Sequence, residues 1–109
     1  MNLAIEKSHI FESDFTGQFS WYFEKGGKTL AWRFFAAVDL TLTKLSQQPD
    51  LGRVRHFCNP ALHGLRSFRI EPPFDRLIIF YRSTENSLQV WRLMHGARDL
   101  PHRLVEMPH

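Results

Sequence analysis

Two adjacent glycines, Gly26-Gly27, separate two stretches of helical periodicity and constrain this chain more than any other feature. Upstream, Phe11, Phe15, Phe19 and Tyr22 recur four, four and three residues apart, which puts all four rings on one face of a helix. Ser8 is placed to cap that helix, and Gly17 lowers its propensity without ending it. Downstream, Leu30, Phe34, Val38, Thr41, Leu42 and Leu45 line one face of a second helix over 28–47, and Pro49 lies just past its end. Two amphipathic helices joined by so short a turn predict an αα-hairpin.

The rest of the chain changes period. Residues 3–6 alternate weakly and predict a short first strand. Residues 49–64 are broken by Pro-Asp, Leu-Gly and Asn-Pro and predict irregular structure. Residues 66–70 alternate, 71–75 form a turn, and 76–82 (Arg-Leu-Ile-Ile-Phe-Tyr-Arg) are apolar on both faces, as a central strand requires. A polar loop over 83–87 returns the chain into a last strand, 88–94. Asp99 to Val105 predict one helical turn, capped by Asp99 with Pro101 in its first turn. The expected architecture is α+β, a helical hairpin packed on a small antiparallel sheet in the order β-α-α-β-β-β, with residues 1–109 as a single domain.

With 109 residues the chain supports one core, and a hydrophobic fraction of 43% with ten Phe lets it fold without metal or disulfide. Cys58 is the lone cysteine, which fits a reducing, cytoplasmic setting. No stretch is apolar enough to span a bilayer, and no signal-peptide core follows Met1. A net charge of +3 and a pI near 9.4 favour an acidic partner, nucleic acid or polypeptide. The arginines gather after Arg53, and arginine suits planar contacts to carboxylate or phosphate. No His/Cys/Asp/Glu set has metal-ligand spacing, and no cofactor is expected. Cys58 has no activating neighbour in sequence and is expected to be a packed or loop thiol.

The segment His95-Gly96-Ala97-Arg98-Asp99-Leu100, where a strand breaks at glycine, resembles the C-terminal signature of the RelE/ParE superfamily of type II toxins, above all its ParE branch. Further likeness lies in Ser8…Asp14-Phe15, in Leu45-Ser46-Gln47-Gln48-Pro49-Asp50-Leu51-Gly52-Arg53, in Leu65-Arg66-Ser67-Phe68-Arg69-Ile70 and in the strand 76–82. The resemblance implies a toxin of a toxin–antitoxin pair, of the plasmid-stabilising kind. A cognate ParD-like antitoxin would hold it inactive, and the pair would reach operator DNA only through that antitoxin. ParE-like members poison DNA gyrase; RelE-like members cleave mRNA on the ribosome.

The two chemistries need different residues. A ribonuclease that uses the substrate 2′-OH needs a base, a cation for the phosphorane and an acid for the leaving oxygen. The RelE-like pattern supplies lysines ahead of the sheet, strand arginines and a tail tyrosine. Here Arg53, Arg55 and His56 stand at the lysine positions, and His102 is what the tail offers in place of tyrosine. The ribonuclease alternative would therefore rest on Arg76, Arg82, His95, Arg98 and His102. The leading expectation is a gyrase poison acting through a protein surface, with Arg92, His95, Arg98 and Asp99 as target contacts. Trp21, Trp32, Phe35 and Arg92 are expected to meet the antitoxin, the aromatics because they sit off or at the edge of the apolar stripes. Plainer roles stand beside these: Arg76 and Arg82 as solvated strand ends, Arg98-Asp99 as an ion pair or cap, His95 as a backbone-bonded structural residue, and the aromatics as core. A toxin that has lost toxicity but keeps antitoxin binding is a further alternative.

Overall fold

Ser8 starts the helical region as its sequence requires. Its Oγ accepts from the Phe11 N–H at 2.9 Å and donates to the Trp91 carbonyl at 2.7 Å, so one hydroxyl caps the helix and ties it to the last strand. The computed structural model describes residues 2–96. They form β1 (Ala4–Lys7), α1 (His9–Gln47), β2 (Arg53–Val54), β3 (Arg66–Arg69), β4 (Leu77–Ser83) and β5 (Ser87–His95). The expected helical turn over 99–105, and with it Arg98, Asp99 and His102, lies outside the described residues.

The helical run α1 is two arms. At Gly27 the backbone takes φ 74° and ψ −167°, a conformation that β-carbon-bearing residues avoid. Beyond it the chain doubles back. Phe15 stacks on Phe34 with centroids 5.4 Å apart, and Tyr22 meets the same ring at 4.8 Å. In an unbroken helix the first pair would be about 28 Å apart. The hairpin is as the glycine pair predicts, and the second arm buries Phe34, Val38, Thr41, Leu42 and Leu45.

The sheet has the order β1-β5-β4-β3-β2. Its β2–β5 part is an antiparallel meander, but β1 runs parallel to β5, so the sheet is mixed where an antiparallel one was expected. The helical hairpin is the crossover that makes this possible, carrying the chain from β1 back to the far side of the sheet. The short β2 was also not foreseen: two residues amid breakers carry no readable period. Its pairing with β3 is extended by the Arg55 N–H bonded to Leu65 O at 2.9 Å.

Strand alternation divides the interior in two. Leu77, Ile79 and Tyr81 of β4 and Leu88, Val90 and Leu93 of β5 face the helices. On the other face Ile78, Phe80 and Met94 are covered by Leu62 and Leu65 of the β2–β3 loop. Perfect alternation in β5 would carry Leu88 and Val90 on to Arg92 and drive a guanidinium into the helix-side core. A β-bulge prevents this: Tyr81 pairs with Val90 and Phe80 with Arg92, leaving Trp91 as the extra residue. Leu93, not Arg92, then completes the apolar row.

Tyr81 fastens the exit of the second arm to the central strand. Its buried hydroxyl donates to Pro49 O at 2.6 Å and accepts from the Gly52 N–H at 2.8 Å. A β-carbon at residue 52 would collide with the phenol, which fixes glycine there. Tyr81→Phe should cost about 1–3 kcal/mol in urea unfolding, since a buried amide and carbonyl lose their partner. Burial also pushes the Tyr81 phenol above its ordinary pKa. The folded chain therefore holds this proton more tightly than the unfolded chain does. Stability from this source is complete below about pH 10, the unfolded value, and is lost as pH rises past it. Tyr81→Phe should show a shallower alkaline loss of stability; an unchanged loss would remove Tyr81 as its source.

Candidate functional site

Arg92 was expected on a contact surface; the bulge turns it to the edge of β5 and into an ion pair. Asp14, on the first helical arm, takes both Arg92 Nε and Nη2 at 2.9 Å, and its Oδ2 also accepts the Leu93 N–H at 3.1 Å. The two side chains are 8% and 10% exposed. β1 pairs with β5 only as far as Val90. Beyond that point Ser8 takes over the edge, its N–H to Val90 O at 3.0 Å and its hydroxyl to Trp91 O, and Asp14 then takes the amide of Leu93. Arg92 thus belongs to the joint between hairpin and sheet. The sequence offered Asp14 and Arg92 only as separate charges, 78 residues apart.

His95 is exposed at the end of β5, opposite Leu77. Arg76 is exposed beside it, its carbonyl accepting the Gly96 N–H at 3.1 Å. Arg82 is at the other end of β4, its guanidinium donating to Ala61 O at 3.1 Å. Six residues of extended chain put Arg76 and Arg82 about 20 Å apart. The described members of the ribonuclease set therefore do not converge on one phosphate.

The three aromatics divide in the same way. Trp32 packs edge-on against Phe19 at 5.4 Å and Phe35 at 5.3 Å, and Phe35 in turn meets Phe15 at 6.0 Å. Trp32 and Phe35 nonetheless stay 50% and 43% exposed. They make a continuous aromatic patch on the outside of the hairpin. Phe35 also borders a groove of about 240 Å³ floored by Phe11, Phe15, Val38 and Leu42, with Lys7, Glu12 and Asp39 among its polar lining residues. Trp21 stands apart, edge-on to Tyr22 at 5.1 Å with Lys25 Nζ 5.7 Å above its ring. Phe23 is equally exposed on this arm and was not singled out from the sequence.

A second surface was not assembled from the sequence. On the sheet face away from the helices, Arg53 pairs with Ser67, and Arg69 lies two residues further along β3. Arg55 Nε donates to Ser67 Oγ at 2.7 Å. With Leu51, Phe68 and Ile78 these residues line a hollow of about 330 Å³ that contains no carboxylate. Desolvation, then the charges of Arg53 and Arg69, pull the Arg55 pKa below its ordinary value. The Arg-x-Arg spacing at 53 and 55 was visible; that Arg69 joins it depends on the β2–β3 register. The Arg53 side chain makes no hydrogen bond or ion pair among the described residues, so Arg53→Gln should leave thermal stability within about 0.5 kcal/mol of the parent. A larger loss would show that Arg53 supports the fold.

The chain is thus a small α+β protein with an αα-hairpin on a mixed five-stranded sheet, an outward aromatic patch and arginines gathered on the opposite sheet face. Residues 5–100 match the family described as the ParE toxin of the type II toxin–antitoxin system parDE, and the chain belongs to that family. Among solved structures, a chain of the chromosomal ParDE TA system from P. aeruginosa superposes with a TM-score of 0.69. It is 16% identical, and the match covers 87% of this chain and 97% of that one, a likeness of fold. Comparison with curated proteins gives no significant sequence match.

Proposed function

We propose that this chain is a cytoplasmic toxin that poisons DNA gyrase and is silenced by a ParD-like antitoxin docking on the outer face of the hairpin. The observation that carries the antitoxin half is the Trp32–Phe35 patch beside its apolar groove. Large rings left half exposed at the mouth of a groove are the side chains that anchor protein partners. The groove has a floor of Phe and aliphatic side chains, with one lysine and two carboxylates among its polar residues, which suits an amphipathic segment. The gyrase half rests on family membership, with the end of β5 at His95 and the Arg98-Asp99 that follow it as the target contact. The pair would reach its operator through the antitoxin. No helix among the described residues is long and apolar enough to cross a membrane.

Alanine at Trp32 or Phe35 should weaken the complex with the product of the neighbouring gene about thirtyfold or more, as loss of an anchor residue does. Trp21→Ala, off the patch, should matter less. Titration calorimetry with the purified pair reads this directly, and unchanged affinity in both patch variants would remove the hairpin as the antitoxin site. For the target, the toxin should trap gyrase with cleaved DNA in a supercoiling and cleavage assay and leave mRNA on programmed ribosomes intact. Cut mRNA with unaffected gyrase would replace the gyrase reading with the ribonuclease one.

A further inference from the structure

We propose that the groove between the two arms of the hairpin takes a helix that inserts a basic side chain, arginine or lysine, between Glu12 and Asp39. The inference rests on the reading of the hairpin as the antitoxin site and adds the chemistry that the antitoxin must carry there. The register of the hairpin sets the two carboxylates across from each other. Phe19 meets Trp32 at 5.4 Å and Phe15 meets Phe35 at 6.0 Å, so the antiparallel arms hold these residues level. One turn back from Phe15 is Glu12, and one turn on from Phe35 is Asp39. Both line the same groove, one from each arm, around the apolar floor of Phe11, Phe15, Val38 and Leu42.

These two carboxylates are exposed and uncompensated. The ion pairs among the described residues join Lys44 to Glu71, Arg66 to Asp50 and Arg92 to Asp14. Neither Glu12 nor Asp39 is among them, and neither side chain takes a hydrogen bond within the described residues. Lys7, the one cation of the lining, stands at the end of β1 and pairs with neither. The groove is therefore locally acidic on a chain whose net charge is +3. Whole-chain charge favours an acidic partner; this groove asks for the opposite sign.

Shape fixes the form of the partner. Two antiparallel helices leave a furrow between them in which a third helix packs, the recurring helix-in-groove mode of recognition. Along the second arm Trp32, Phe35 and Asp39 succeed one another at steps of about one turn, roughly 5 Å each. An amphipathic helix that covers them presents apolar residues to Trp32 and Phe35 and its basic residue one turn beyond. An arginine there gives one edge of its fork to each carboxylate. A segment with an acidic residue at that place is repelled, so the two acids also select among antitoxins.

Titration calorimetry of the full-length toxin with the purified product of the neighbouring gene tests this. Glu12→Gln/Asp39→Asn should weaken the complex about tenfold or more at about 50 mM salt, and less at about 500 mM. Thermal unfolding of the free toxin should not change, because both side chains are exposed and bond nothing in the fold. Alanine substitution of each arginine and lysine of the antitoxin should find one whose contribution to affinity vanishes in that variant. Affinity that survives Glu12→Gln/Asp39→Asn but falls with Trp32→Ala would overturn this inference and leave the docking reading standing. Affinity indifferent to both changes would remove both. Weakening that couples to no basic residue of the antitoxin would also overturn the inference. So would a toxin dimer, seen by sedimentation, that the same substitutions dissociate, since the occupant would then be a second copy.

Discussion

The Asp14 carboxylate is the point on which the two halves of this molecule meet. Its two oxygens take the fork of Arg92 and the amide of Leu93, so one side chain neutralises a buried charge and satisfies an open strand edge. Two nearly buried charges are costly to desolvate, and they are tolerable only when every lone pair and proton finds a partner. The bulge at Trp91 makes that arrangement possible. It brings Arg92 to the edge while keeping Leu88, Val90 and Leu93 in the apolar row under the hairpin. Removing one partner would strand the other in a site with little water, a loss of about 3–5 kcal/mol.

With the hairpin fixed in this way, the two faces of the molecule have different tasks available to them. The inward rings of Phe11, Phe34 and Tyr22 pack on the sheet or on Phe74, which consumes the apolar side of the helices. Trp32 and Phe35 are left outside, supported from beneath by Phe15 and Phe19. The far face of the sheet is closed over Phe80 and Met94 by Leu62 and Leu65, and beyond that small second core it is cationic. The aromatic patch with its groove and the arginine hollow lie on opposite sides of one sheet.

Much of the fold was legible because its signals are local. The glycine turn, the Ser8 cap, the aromatic spacing in the first arm and the apolar 76–82 strand each declare themselves within a few residues. What stayed hidden depends on distance or register. The parallel pairing of β1 with β5 and the two-residue β2 carry no period of their own. The turn of Arg92 to the strand edge follows from a bulge, and simple alternation gives no warning of one. Trp32 and Phe35 were correctly placed at the stripe edge, but their separation from Trp21 comes from where the arms cross. The arginine hollow needed the β2–β3 register before Arg69 could be seen beside Arg53 and Arg55.

The dependence of the whole on the hairpin–sheet joint is tested most directly by a double-mutant cycle on Asp14→Asn and Arg92→Met, read by urea unfolding. Both substitutions keep side-chain size while removing charge. If the pair is the joint described above, each single change is strongly destabilising. The double variant then recovers part of the loss, with a coupling of about 2–3 kcal/mol. Additive effects, with coupling near zero, would mean that Asp14 and Arg92 act independently and that apolar packing and the Ser8 and Tyr81 hydrogen bonds hold the hairpin to the sheet without them.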